Sequence, residues 1–254
     1  MKINVLGSGY MGKQICSLFV ALGHDVEIWQ NSSEDLSQPI KKEISKIEKH
    51  FNIKANGKYS VIDNVGDFEP NLTIETIKED ITAKKELFSK LNYNENIFSN
   101  TSSINLSELG KNVNGFHFMN PITIPLIELC KKGEYSENLL NDLISSLTEF
   151  SYSIIDVPDK SGFLVNRILF KEISYFFYLY EVEKILIKDL KKIYKIISNN
   201  SDPIKIVNMI GLDTCLSILE NLNRENKEIY VPNILKDMIK KGTLGYKNKK
   251  ILRL

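Results

Sequence analysis

Three glycines within six residues near the start of the chain, Gly7-Ser8-Gly9-Tyr10-Met11-Gly12, leave few folds open. They follow a short apolar run, residues 3–6, that reads as a buried strand. They open a segment with apolar groups at helical spacing: Met11, Ile15, Leu18, Phe19 and Leu22. Gly23 stops that helix, and residues 25–29 read as a second strand. Strand, glycine turn, helix, strand is a βαβ opening. In this setting Gly7 permits the tight turn, Gly9 lets the backbone approach a pyrophosphate, and Gly12 lets the helix pack close on the strand. The helix N-terminus offers unpaired N–H groups and a partial positive charge to the anion. The alternative is an ordinary glycine-rich turn; the place between strand and helix favours a dinucleotide site.

The alternation continues. Residues 40–51 read as a helix with Ile40, Ile44, Ile47 and Phe51 on one face and lysines on the other, and residues 61–62 as a weak strand. Residues 72–77 form a better strand, and residues 80–91 a helix capped by Asp80. Residues 97–100, 115–118 and 127–130 read as further strands, 139–150 as a helix and 152–157 as the last strand. Strands alternating with helices predict a mostly parallel sheet covered on both faces. The texture changes after Pro158. Residues 163–187, 188–197, 203–222 and 232–241 all read as helices, with a hinge at Asp159-Lys160-Ser161-Gly162. The expected fold class is α/β: a Rossmann-type dinucleotide-binding domain over residues 1–160, then an all-α domain over residues 161–254.

The length of 254 residues suits one large or two modest domains at about 150 residues each. Hydrophobic residues at 43% and charged residues at 26% exclude a disordered or low-complexity chain. A formal net charge of +1 argues against a nucleic-acid partner, which calls for a basic surface. No leader segment is expected at the N-terminus, because Gly7 and Gly9 interrupt the first apolar run. No window reaches the ~18 consecutive apolar residues of a membrane span. Cys16, Cys130 and Cys215 form no CxxC pair and no metal spacing, so buried reduced thiols and no metal are expected, as in a reducing cytoplasm.

Cofactor choice turns on the end of the second strand, where an Asp or Glu binds the ribose hydroxyls of NAD. Here the strand runs into Gln30. Its amide can bond a hydroxyl but does not repel a 2′-phosphate, and no Arg or Lys lies between Gln30 and Pro39. NAD is favoured and NADP stays open. Of the three histidines, His24 follows Gly23 in a turn that is commonly exposed, and His50 sits on the lysine-rich helix. His117 stands near the carboxyl end of a predicted strand, the edge where open α/β sheets bind ligands. Asn100-Thr101-Ser102-Ser103, Glu128 and a stretch from Gly162 to Arg167 accompany it.

These elements resemble the L-3-hydroxyacyl-CoA dehydrogenase family, which includes 3-hydroxybutyryl-CoA dehydrogenases. The matching segments are GSGYMG at 7–12, IETIKEDITAKKELF at 74–88, SNTSSI at 99–104, GFHFMNP at 115–121, GFLVNRIL at 162–169, IGLDT at 210–214 and the tail around Gly245-Tyr246-Lys247. They keep the family's order and cover nearly the whole chain. The β-hydroxyacid dehydrogenases also open with GxGxMG, but they use a catalytic lysine and are not expected to carry HxxNP followed by GFxxNR.

The resemblance implies a dehydrogenase acting on a 3-hydroxyacyl thioester, short-chain and CoA-linked. His117 would be the general base, Glu128 its orienting acid, and Ser102 and Asn166 the holders of the substrate oxygen. Gly7, Gly9, Tyr10, Met11, Gly12, Gln30, Glu79, Lys84, Ser102, Asn120 and Lys247 would contact the cofactor, although Glu79 and Lys84 also fit an ordinary first-turn helix pair and Lys247 a solvated tail residue. Histidine suits the proton transfer because its ordinary ionisation falls near neutral pH.

Departures from the family pattern are visible. The acid stands one residue closer to the histidine than usual, so either the loop is shortened and Glu128 fills the acid's place, or Leu129 stands there and the dyad is broken. The helical arm after the second strand is short, and Lys41, Lys42, Lys46 and Lys49 on it read either as CoA-phosphate contacts or as a solvated face. The short arm keeps an acyl-carrier-protein substrate open, and the displaced acid keeps open a silent nucleotide-binding homologue. Phe163, Leu164, Ile168, Leu169, Phe170, Ile173, Phe176, Phe177 and Tyr180 crowd one segment, so a homodimer through the second domain is expected.

Overall fold

The computed structural model describes residues 1–198 and 202–254. It separates into two compact units, Met1–Lys160 and Ser161–Leu254.

The first unit is built on one eight-stranded sheet: β1 (Lys2–Leu6), β2 (Asp25–Trp29), β3 (Lys58–Ile62), β4 (Leu72–Glu75), β5 (Ile97–Ser99), β6 (Val113–Phe118), β7 (Leu126–Cys130) and β8 (Ser153–Asp156). The spatial order is β3-β2-β1-β4-β5-β6-β7-β8. Every pairing is parallel except β6 with β7. The strand order reverses between β1 and β4, which creates the crevice where open α/β sheets take ligands. The helices are α1 (Tyr10–Ala21), α2 (Ser37–Phe51), α3 (Ile81–Phe88), the short α4 (Leu106–Leu109) and α5 (Glu137–Glu149). β1 and β4 are buried along nearly their whole length, as strands covered on both faces must be. Ile3, Val5, Ile15, Phe19, Ile28, Ile74, Phe98 and Phe116 lie at the centre of the core. Asp80 caps α3 by accepting a bond from the Ala83 amide at 3.0 Å. Asn52, with φ at 54°, ends α2 in the left-handed region.

The second unit is helical: α6 (Val165–Glu181), α7 (Ile187–Ile197), α8 (Pro203–Ile210), α9 (Leu212–Glu225) and α10 (Asn233–Lys240). Phe170, Phe176, Phe177, Val207, Cys215, Leu219 and Leu235 form its core.

Three expectations change. The helix expected over residues 203–222 is two helices, because Gly211 takes φ at 104° and turns the chain between α8 and α9. The helix expected over residues 163–187 ends at Glu181, and Lys184, with φ at 60°, makes the turn without any Gly or Pro to announce it. His24 is buried rather than exposed: Nε2 lies 2.8 Å from Ser146 Oγ and Nδ1 lies 3.4 Å from the N-terminal amine. Burial first, and then the nearby ammonium charge, pushes its pKa down to about 4. Cys16, Cys130 and Cys215 are free and buried. Burial raises the thiols of Cys16 and Cys215 to about 12, which makes them unreactive. No helix of the described residues is long and apolar enough to cross a membrane, and these residues contain no metal-holding cluster.

Candidate active site

The glycine turn lies at the sheet's reversal point. Gly7 follows β1 with φ at 115°, and its amide donates to the Trp29 carbonyl at 3.0 Å. A Cβ on Gly12 would fall 1.9 Å from the Gly7 carbonyl oxygen, so only glycine lets α1 close onto the turn. A Cβ on Gly9 would meet nothing within 4 Å. The backbone at Gly9 therefore borders open space at the N-terminus of α1, the shape a pyrophosphate needs. Tyr10 and Met11 begin the helix, and Tyr10 is exposed. Gln30 stands at the tip of β2. Its Nε2 donates to the Glu34 carbonyl at 3.1 Å, and its Oε1 is buried with no bond partner in the structure. Glu27 lies in mid-strand and pairs with Lys2 at 2.9 Å.

A buried charge network ties the next two strand ends together. Glu75 ends β4, directly beside Ser99 at the end of β5. It is fully buried and accepts four bonds: from Lys84 Nζ at 2.7 and 2.8 Å, from the Ile77 amide at 2.6 Å and from Ser99 Oγ at 2.5 Å. Burial pushes its carboxyl up, and Lys84 and Ser99 pull it back. Lys84, on α3, is 1% exposed and reaches Glu79 Oε2 at 3.3 Å as well. Glu79 Oε1 accepts in turn from Thr101 Oγ1 at 2.8 Å, the Ser102 amide at 2.9 Å and Ser103 Oγ at 3.3 Å. Glu79, Lys84 and Ser102, three of the residues singled out in the sequence, thus belong to one network. Glu75 was missed. Its signal was an acid inside an apolar strand with a lysine nine residues downstream.

His117 and Glu128 face each other across the antiparallel β6–β7 pair, in direct register. His117 Nδ1 lies 2.8 Å from Glu128 Oε2; the histidine is 9% exposed and the glutamate 1%. A carboxylate in this place accepts from a ring protonated at Nδ1, which is the tautomer assigned to the neutral histidine by this contact. Leu129 opposes Phe116 and points into the core, so the acid beside the histidine is Glu128. Asn100 Oδ1 accepts from the Phe118 amide at 2.8 Å and so ties the end of β5 to the end of β6. Asn120, in the loop after β6, is exposed and precedes a cis Asn120–Pro121 peptide.

Asn166 and Lys247 belong to the second unit. Asn166 stands in the first turn of α6. Lys247 Nζ pairs with Asp213 Oδ1 at 2.8 Å and bonds Thr214 Oγ1 at 2.5 Å.

A doubly wound sheet with a glycine turn at its reversal point, followed by a helical unit, defines a Rossmann-type dinucleotide-binding protein. Residues 2–160 match the 3-hydroxyacyl-CoA dehydrogenase NAD binding domain, and residues 162–252 match the 3-hydroxyacyl-CoA dehydrogenase C-terminal domain. The chain belongs to the 3-hydroxyacyl-CoA dehydrogenase family, oxidoreductases that act on a CH–OH group with NAD. It is 26% identical to a 3-hydroxybutyryl-CoA dehydrogenase of Clostridioides difficile, over 98% of this chain and 97% of that one. It is 28% identical to a probable 3-hydroxybutyryl-CoA dehydrogenase of Bacillus subtilis, over 97% and 94%. The solved (S)-3-hydroxybutyryl-CoA dehydrogenase from Ralstonia eutropha shares the fold, with a TM-score of 0.82 at 22% identity over 100% of this chain and 99% of that one.

Proposed function

We propose that this chain interconverts a short-chain 3-hydroxyacyl-CoA and its 3-oxoacyl form, with His117 as general base. The observation that carries the reading is the 2.8 Å bond between His117 Nδ1 and Glu128 Oε2 at the carboxyl end of β6. Glu128 fixes the ring tautomer and stabilises the imidazolium formed when Nε2 takes the proton of the 3-hydroxyl. When bound, the dinucleotide would supply a nicotinamide ring to take the hydride that leaves carbon 3 of the substrate. Ser102 holds the substrate oxygen. In the reverse direction the imidazolium returns its proton to the carbonyl oxygen. Gly7, Gly9, Tyr10, Met11 and Gly12 cradle the dinucleotide at the start of α1, Gln30 stands at its ribose end, and Glu79, Ser102 and Asn120 serve its nicotinamide end, whereas Lys84, expected as a contact, is buried against Glu75 and Glu79 and supports that end from behind. NAD(H) is the family's dinucleotide.

An assay of acetoacetyl-CoA reduction with NADH and NADPH in parallel tests the reading, and absence of turnover with both overturns it. The same assay with an acetoacetyl-acyl carrier protein tests the other carrier. On α2 Lys46 is paired with Glu43 at 2.6 Å, and Lys41, Lys42 and Lys49 are exposed. We further propose a homodimer through the helical unit, supported by the apolar stripe that α6 leaves uncovered, and a cytoplasmic location, supported by three buried free thiols.

A further inference from the structure

The ribose end of the dinucleotide site departs from what selects NAD. That selection comes from a carboxylate at the tip of β2, which bonds the ribose hydroxyls and repels a 2′-phosphate of about −1.5 to −2 charge. Gln30 holds this position, and its amide carries no charge. Two carboxylates follow it, and both are held elsewhere. Glu34 pairs with Lys13 at 3.2 Å, and its backbone carbonyl takes the Gln30 Nε2 bond. Asp35 accepts from the Ser37 amide at 2.8 Å and from Ser37 Oγ at 2.7 Å.

Beside the glycine turn lies a cavity of about 400 Å³, within the range of small-molecule clefts. Gly9, Trp29, Asn31 and Ser32 line one side of it. Lys78 and Lys90 line the other, together with a single carboxylate, Glu86. Lys78 is shared with Asp80 at 3.3 Å, whereas no ion pair is formed by Lys90 among the described residues. The lysines come from the far side of the crevice, 48 and 60 positions beyond Gln30 in sequence. A local search of residues 30–39 therefore finds no cation, and the fold supplies two.

We propose that the ribose subsite of this chain admits a 2′-phosphate, with Asn31 and Ser32 donating to it and Lys90 supplying positive charge, and that Gln30 is the residue setting this tolerance. The inference rests on the dinucleotide reading above and deepens it. Gln30 itself stands between Trp29 and Asn31, two of the residues that line the cavity, so a charge introduced there would act on the phosphate at short range.

Trp29 is the chain's only tryptophan and lines this cavity, so its fluorescence reports binding without turnover. NADH and NADPH are titrated in the absence of acyl substrate. The expected result is an NADPH Kd no more than tenfold above that of NADH. In Gln30→Asp the NADPH Kd should rise at least tenfold more than the NADH Kd. Gln30→Asn, shorter but still neutral, should keep the ratio within tenfold, which separates charge from loss of shape. Lys90→Ala should weaken NADPH at least threefold more than NADH. A wild-type ratio above tenfold in favour of NADH overturns the proposal while leaving the dinucleotide reading standing, and so does a Gln30→Asp variant that weakens both alike. Binding of neither dinucleotide overturns both.

Discussion

Lys84 sets its ammonium 2.7 and 2.8 Å from the two oxygens of Glu75, and neither side chain meets solvent. Two desolvated charges stay folded only as a pair. Removing one partner strands the other, at a cost of about 3–5 kcal/mol. Glu75→Gln and Lys84→Met should each lower unfolding free energy by that order in denaturant melts. The double variant should recover at least half of the loss. Single variants costing under about 1 kcal/mol would show that the pair does not hold β4 to α3.

His117 is the base of the proposed reaction. His117→Gln should reduce turnover by about 10²–10⁴-fold, the range of general acid–base groups. Its NADH affinity, read from Trp29 fluorescence, should change little. Unchanged turnover would remove His117 from the chemistry.

Glu128 acts through His117. Glu128→Gln keeps the shape but removes the charge, and either orientation of its amide weakens the imidazolium. Turnover should fall by about 10²-fold or more. A shifted pH profile of kcat should accompany the loss, with KM for the thioester nearly constant. A fall in stability with an intact pH profile would make the dyad structural only.

The βαβ opening was legible because three physical demands, a positive φ, a close helix approach and open backbone, fall on glycines at fixed spacing. The His117–Glu128 pairing was not settled by the chain alone. One residue of loop length decides whether a glutamate or a leucine faces the histidine, and only the β6–β7 register resolves it. Glu75 stayed hidden because a charge inside an apolar strand has meaning only once Lys84 and Ser99 arrive from other elements. The break at Lys184 and the burial of His24 were hidden for related reasons. A non-glycine residue in the left-handed region leaves no compositional mark, and the histidine is covered through Ser146, more than a hundred positions away.

His24 predicts an acid-sensitive stability. Its pKa stands at about 4 in the fold against 6.5 ordinarily, so the unfolded chain binds the proton more tightly. The contribution is complete above pH 6.5 and is lost as pH falls from there through 4. Allowing for water at the ring edge, it is worth on the order of 1–2 kcal/mol. Denaturant melts at pH 7 and pH 5 should show the difference. His24→Phe should flatten it, because a ring without a titratable nitrogen removes the linkage. An unchanged slope in that variant would assign the acid sensitivity to other groups.

Within the helical unit Phe163, Phe170, Ile173, Phe176 and Phe177 are buried, which accounts for part of the apolar segment. Another part is not covered. Leu164, Ile168 and Tyr175 recur at four and seven residues along the start of α6 and so form one stripe, with Ile168 63% and Tyr175 56% exposed. On α7, Ile193, Ile196 and Ile197 are exposed too. Isolated apolar residues on a surface are ordinary, but stripes on two helices of one unit are the usual mark of an interface, and twofold pairing is its commonest form. Light scattering at micromolar concentration should give about twice the 29.1 kDa chain mass. Ile168→Asp with Tyr175→Asp should move the mass towards the single chain while circular dichroism keeps its helical signal, since both side chains lie outside the unit's core. A wild-type mass near 29.1 kDa would defeat the homodimer. A double variant that stays dimeric would place the interface on another face.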